Sequence, residues 1–173
     1  MAVLEILKYP DDRLKQLSED VMELDDALQL FLDDLLETLD AAPGCVGIAA
    51  PQVGMPKRIV IVDVSSKPKF KSHGRLVLIN PEIVEWDGFE IGREGCLSVP
   101  DYTGNVVRAE SIVLEALDRE GNKQRYEMEG YEARVAQHEL DHLEGMLFLD
   151  RLVSRRSDLF KRKNYQKAKN KTD

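Results

Sequence analysis

The stretch QHELDHLEG, residues 137–145, sets two of the chain's three histidines around a glutamate. On a helix, residues four apart share a face with Cβ atoms about 5–6 Å apart, so His138 and His142 can turn both imidazoles toward one cation. Glu139 lies one position further round. It is badly placed to join them, yet it can reach a water on that cation, which is where metal-assisted hydrolysis needs a general base. Two imidazoles alone do not hold an ion, so the chemistry depends on a third donor.

The sources of that donor can be eliminated in turn. One class of two-histidine hydrolases takes it from a downstream glutamate, but no glutamate follows Glu144. Another takes it from a histidine shortly beyond the second, where this chain has Phe148. His73 falls in the lysine-rich SSKPKFKSHG and reads as an exposed, idle loop side chain. Of the two cysteines, Cys45 reads as a small buried hydrophobe. Cys96 stands in REGCLSVP, with Gly95 beside it and Glu94 two residues before. A Cys96 thiolate completes a Cys-His-His set with a fourth position open to water, the pattern of a catalytic rather than a structural metal. Zinc, iron, nickel and cobalt all suit such donors.

These residues need elements to position them. Leu24, Leu28, Phe31, Leu35 and Leu39 recur at helical spacing among acidic residues and predict an amphipathic helix that ends before APG at residues 42–44. RIVIVDV at 58–64, RLVLINPEIVEW at 75–86 and SIVLEAL at 111–117 read as strands, and DREGN at 118–122 as the turn of a hairpin with KQRYEME. The metal helix should run from about Tyr131 to Leu143 and close at Gly145. A basic helix is expected over much of Ser154 to Lys169. The organisation is a single α+β domain, residues 1–150 forming the catalytic body and 151–173 a basic tail.

Bulk properties bound the function. At 173 residues, 43% hydrophobic and 32% charged, the chain reads as a one-domain globular protein. No apolar run reaches the ~18 residues of a membrane span, and the N-terminus does not read as a secretory signal. Two cysteines are too few for a disulfide framework, so a cytoplasmic location is expected. From Arg151 onward nine Lys or Arg stand against two Asp, although the net charge is −8. An acidic body with a basic tail implies either a solvated helix face or a footprint for nucleic acid.

Three stretches taken together, CVGIAAPQVG, EGCLSVP and QHELDHLEG, resemble the three signature motifs of the peptide deformylases, in that family's order. The resemblance runs through about Leu149. It implies antiparallel β-sheets packed around the central metal-binding helix and removal of the formyl group from the N-terminal formyl-methionine of nascent polypeptides. By the same resemblance, Cys96, His138 and His142 bind a divalent metal, Fe2+ in the cell, with Zn2+, Ni2+ or Co2+ able to replace it. Glu139 is then the acid/base, and Gln52 with the backbone N–H of Leu97 stabilises the oxyanion. Gly47 and Ile48 present backbone groups to the substrate, Val46, Tyr131 and Val135 line the methionine slot, and Glu94 pairs with Arg108. Cys45 departs from the family's usual glycine at the start of the first motif, which would bring a second thiol near the pocket. The family also implies contact between the basic tail and the ribosome, with neither DNA nor a membrane as partner. Two rival readings are a metallopeptidase or other amidase on the same helix, and a ribosome-binding module with a structural metal.

Overall fold

The computed structural model describes residues 2–162. In chain order its elements are α1 (Asp26–Asp40), β1 (Gly47–Ala49), β2 (Ile59–Val62), β3 (Leu76–Asp87), β4 (Glu90–Cys96), β5 (Val99–Arg108), β6 (Ser111–Leu117), β7 (Lys123–Glu129), α2 (Gly130–Leu143) and β8 (Leu159–Lys161). The strands form two antiparallel sheets, one of five strands in the order β1-β2-β3-β6-β7 and one of three in the order β4-β5-β8. No described helix is long and apolar enough to cross a membrane.

The five-stranded sheet forms where the sequence is most apolar. Every side chain of β2 is fully buried, because the strand is covered on both faces. Ile59, Ile61 and Ile79 pack with Leu32, Leu35 and Leu39 of α1, whose first turn is capped by the Asp25 carboxylate accepting from Leu28 N at 2.9 Å. Val60, Val62, Leu78 and Leu114 pack on the opposite face against Ala133, Ala136, Leu140 and Leu143 of α2. Each Val, Leu or Ile side chain among these contributes about 1.5–3 kcal/mol by leaving water. The expected strand over 75–86 survives its internal Pro81 because β3 changes register between Ile79 and Glu82. The β6–β7 hairpin closes at Asp118–Asn122 as expected, with Gly121 at φ +88°. Helix α2 ends as expected at Gly145, whose φ of +73° and contact with the Lys15 backbone leave no room for a Cβ.

The three-stranded sheet was not foreseen. In β4 only Glu94 and Cys96 are buried, so the strand has no apolar alternation to betray it. The expected basic helix is also corrected over its described part. Residues 154–158 form a turn in which the Asp158 carboxylate accepts from Ser154 N at 2.9 Å, and Leu159–Lys161 then pair with Tyr102–Gly104 of β5. Gly104 permits this docking, since a Cβ there would strike Leu152, Phe148 and the Asp158 carbonyl. Leu152 and Leu159 join Phe148, Val99 and Val106 in a small satellite core. The rest of the expected helix, Lys163 to Lys169, lies outside the described residues.

Candidate metal centre and active site

Helix α2 runs between the two sheets, so its charged residues Glu132, Arg134, Glu139 and Asp141 are buried. His138 and His142 point to the end of β4, where Cys96 precedes the Leu97–Ser98 turn into β5. The Cys96 sulfur and one ring nitrogen of each histidine lie within 4.8 Å of one another, and Cys96 Sγ is 3.5 Å from His142 Nε2. Donors bonded to one tetrahedral ion at about 2.0–2.3 Å stand roughly 3.3–3.8 Å apart, so these side chains fit a single small cation. The Glu94 carboxylate lies 2.8 Å from His138 Nδ1, which fixes the ring and directs Nε2 toward the other donors.

Glu94 is the hub of a buried ionic network. It accepts from Arg108 Nε and Nη2 at 2.9 Å each and from Arg134 Nη1 at 2.8 Å. Arg108 also donates to Asp141 at 2.6 Å, and Asp141 in turn accepts from Arg151 Nη2 at 2.9 Å. Burial would raise the Glu94 carboxyl pKa, but hydrogen bonds from Arg108 and His138 hold it well below the carboxylate range. The expected Glu94–Arg108 pair is therefore present and buried. Its partners Arg134 and Asp141 were missed, although both lie on the metal helix within one turn of His138.

Gln52 is buried on a 3-10 turn, Ala50–Val53, immediately after β1. Its side-chain carbonyl accepts from Ala49 N at 2.9 Å, while Nε2 donates to Ser98 Oγ at 3.0 Å and faces Cys96 Sγ at 3.5 Å. Ser98, fully buried, was not singled out in the sequence; its position beside Leu97 was the available signal.

Glu139 occupies the floor of a cavity of about 300 Å3 lined by Val46, Gly47, Gln52, Cys96, Leu97 and His138, among others. Its Oε1 is 3.8 Å from His142 Nε2 and has no hydrogen-bond partner among the described residues. Burial pushes its pKa up to about 7. Burial also pushes His142 well below its ordinary value; for His138 burial acts the same way, but the Cys96 sulfur and Glu94 outweigh it and the pKa is raised. Gly47 makes room for this arrangement, because a Cβ there would lie 2.6 Å from Glu139 Oε2 and 3.0 Å from Val135 Cγ1.

Tyr131 and Val135 line the same cavity, with Tyr131 stacked on Phe70 at 4.6 Å between ring centroids. Ile48 differs from the others. Its side chain is fully buried beneath the sheet, so only its backbone is available to a ligand. Cys45 also lines the cavity, donates to the Gly47 carbonyl at 3.3 Å and is a free thiol, as is Cys96. His73 is corrected from idle: its Nδ1 lies 2.6 Å from Glu132 Oε1, and its backbone N–H donates to Glu132 Oε2 at 2.7 Å.

The model of the family described as polypeptide deformylase matches residues 3–158. The chain belongs to the polypeptide deformylase family. The sequence is 46% identical over 171 residues to peptide deformylase 2 of Vibrio cholerae, covering 99% of each chain. The fold is similar to that of peptide deformylase from Ehrlichia chaffeensis in complex with actinonin, at a TM-score of 0.83 and 39% identity over 90% of this chain and 91% of that one. It is also similar to the Met-Ala-Ser bound class I type b peptide deformylase of Acinetobacter baumannii, at a TM-score of 0.80 and 37% identity over 87% and 98%. The family's reaction is metal-dependent hydrolysis of the formyl group of N-formyl-methionyl peptides, and Cys96, His138 and His142 lie close enough together to hold one ion.

Proposed function

We propose that Cys96, His138 and His142 hold one divalent ion, Fe2+ in the cell, and that Glu139 carries the proton during deformylation of nascent chains in the cytoplasm. Zn2+, Ni2+ or Co2+ would bind the same donors. When bound, the ion acts as a Lewis acid and lowers the pKa of water toward neutrality. The observation that carries the reading is the unpartnered Glu139 Oε1 beside the donor triad. Burial makes this carboxyl more basic than an exposed one, which suits it to take a proton from the attacking water and return it to the departing nitrogen.

Charge that develops on the formyl oxygen would meet the Gln52 amide and the Leu97 N–H. Gln52 is held from behind by Ala49 N, so it reorganises little as that charge forms. Gly47 and Ile48 lie on β1, an outer strand of its sheet, and can pair their backbone with an extended peptide. Val46, Tyr131 and Val135 would then take the methionine side chain. The decisive experiment is formate release from a formyl-methionyl peptide by anaerobically purified protein, with metal content measured on the same sample. A matched acetylated peptide should be spared; equal cleavage of both would favour a general amidase.

The basic tail would add ribosome contact. Its Arg151 is already engaged with Asp141, and four of its cations, Lys163, Lys167, Lys169 and Lys171, follow the described residues. A chain truncated after Arg162 should lose ribosome affinity at low salt while keeping turnover of short peptides. Unchanged affinity across a salt series would overturn this role.

A further inference from the structure

Two arginines line the active-site cavity without serving the metal, and both owe their position to the unforeseen strand β8. Arg93, on β4, lies 3.7 Å from the ring centroid of Phe160 and donates to Asn105 Oδ1 at 3.2 Å and Thr103 Oγ1 at 3.3 Å. Arg162 immediately follows β8; its N–H donates to the Asp101 carbonyl at 2.8 Å. A Cβ on Gly95 would collide with its guanidinium, so this charge lies against the residue preceding Cys96. Both side chains belong to the cavity lining.

Neither cation is neutralised by a described residue. No carboxylate lies within 4.0 Å of either guanidinium among the described residues. The third arginine of the cavity, Arg134, is buried against Glu94 and two backbone carbonyls, and so is already committed. Arg93 is held in place by neutral partners and an aromatic face, which fixes its direction and leaves its charge intact. Two exposed, oriented positive charges at the mouth of a pocket, on a protein of net charge −8, are suited to an anion arriving with the substrate.

We propose that Arg93 and Arg162 form a cationic lip that favours nascent chains with an aspartate or glutamate at the second or third residue. This rests on the deformylase reading. With the formyl-methionine at the cavity floor, an extended chain advances about 3.3 Å per residue, so the next side chains pass the rim. The carboxylate ligand could also be the free C-terminus of a short peptide, which a chain still attached to the ribosome does not present.

The test uses C-terminally amidated formyl-methionyl peptides with Glu, Gln or Lys at position 2 or 3, and the Gln peptides also with a free C-terminus. For the wild-type protein kcat/KM should favour Glu over Lys by about tenfold at low ionic strength, mainly through KM, and the ratio should shrink with added salt. In R93Q/R162Q the ratio should approach one, in R93K/R162K it should persist, and in R93E/R162E it should reverse. Because the ratio is taken within each variant, a general loss of fold or metal cancels. A wild-type ratio near one, or a ratio unchanged in R93Q/R162Q, would overturn the lip, as would a gain confined to the free C-terminus. If the wild-type protein releases no formate even from the amidated Gln peptides, the deformylase reading itself fails and the lip with it.

Discussion

The two sheets grip the metal helix by different physics. The five-stranded sheet meets α2 through aliphatic side chains such as Val60, Leu78 and Leu114, whose contacts are non-directional and depend on volume. The three-stranded sheet meets it through Glu94, Arg108, Arg134 and Asp141, whose contacts are directional and tied to one another. The first holds the helix in place, whereas the second decides where the His138 imidazole points. A catalytic metal needs both, because a helix held only by apolar packing would leave His138 free to rotate.

The largest expected effect removes chemistry without touching either grip. Replacing Glu139 by Ala should lower kcat by about 10²–10⁴-fold with metal content unchanged, whereas replacing Cys96 by Ala should remove metal and activity together. Metal analysis and formate release on the same samples check both. Full metal occupancy in the Cys96 variant would disprove its place as a ligand.

Breaking the directional side comes next. Arg108→Met takes two hydrogen bonds from buried Glu94 and one from Asp141, leaving them only Arg134, His138 and Arg151, and should cost about 3–5 kcal/mol in urea unfolding. The double change with Glu94→Leu should recover part of that stability but not activity, since His138 then loses the group that orients it, and metal affinity should fall about 10–100-fold. Recovery of full activity in the double variant would show that the network serves stability alone. On the apolar side, Ile61→Val should cost only about 0.5–1.5 kcal/mol and leave kcat unchanged below the unfolding range.

The smallest effect concerns Cys45, which lines the cavity outside the metal cluster. Burial pushes its thiol up to about 11, so the reactive thiolate is scarce at neutral pH. Alkylation of the metal-loaded protein should therefore be slow at pH 8 and should accelerate with rising pH until the approach to 11. Rapid alkylation at pH 7 would contradict the half-buried, protonated thiol.

How much of this was legible follows from the same contrast. Helix α1, strand β2, the β6–β7 hairpin and α2 were readable because each carries its own period or turn signal within a dozen or so residues. The four-residue spacing of His138 and His142 is local geometry, and Cys96 followed by elimination. Strand β4 was not readable, because Glu90-Ile-Gly-Arg-Glu-Gly-Cys becomes a strand only when β5 supplies its hydrogen bonds. Ser98, Arg134 and Asp141 were missed for a related reason: a buried polar residue and a solvated one look alike until their partners are known.

Composition and short-range spacing are enough to specify the candidate donor types, the helix that carries two of them and the acidic body with its basic end. Long-range packing, by contrast, brings Glu94 to His138 and His73 to Glu132, and docks Leu159–Lys161 on β5 so that Arg162 reaches the cavity mouth. Those contacts join residues far apart in the chain. Their stability comes from pairing charges and backbone groups away from water, and no local pattern encodes which partner will be there.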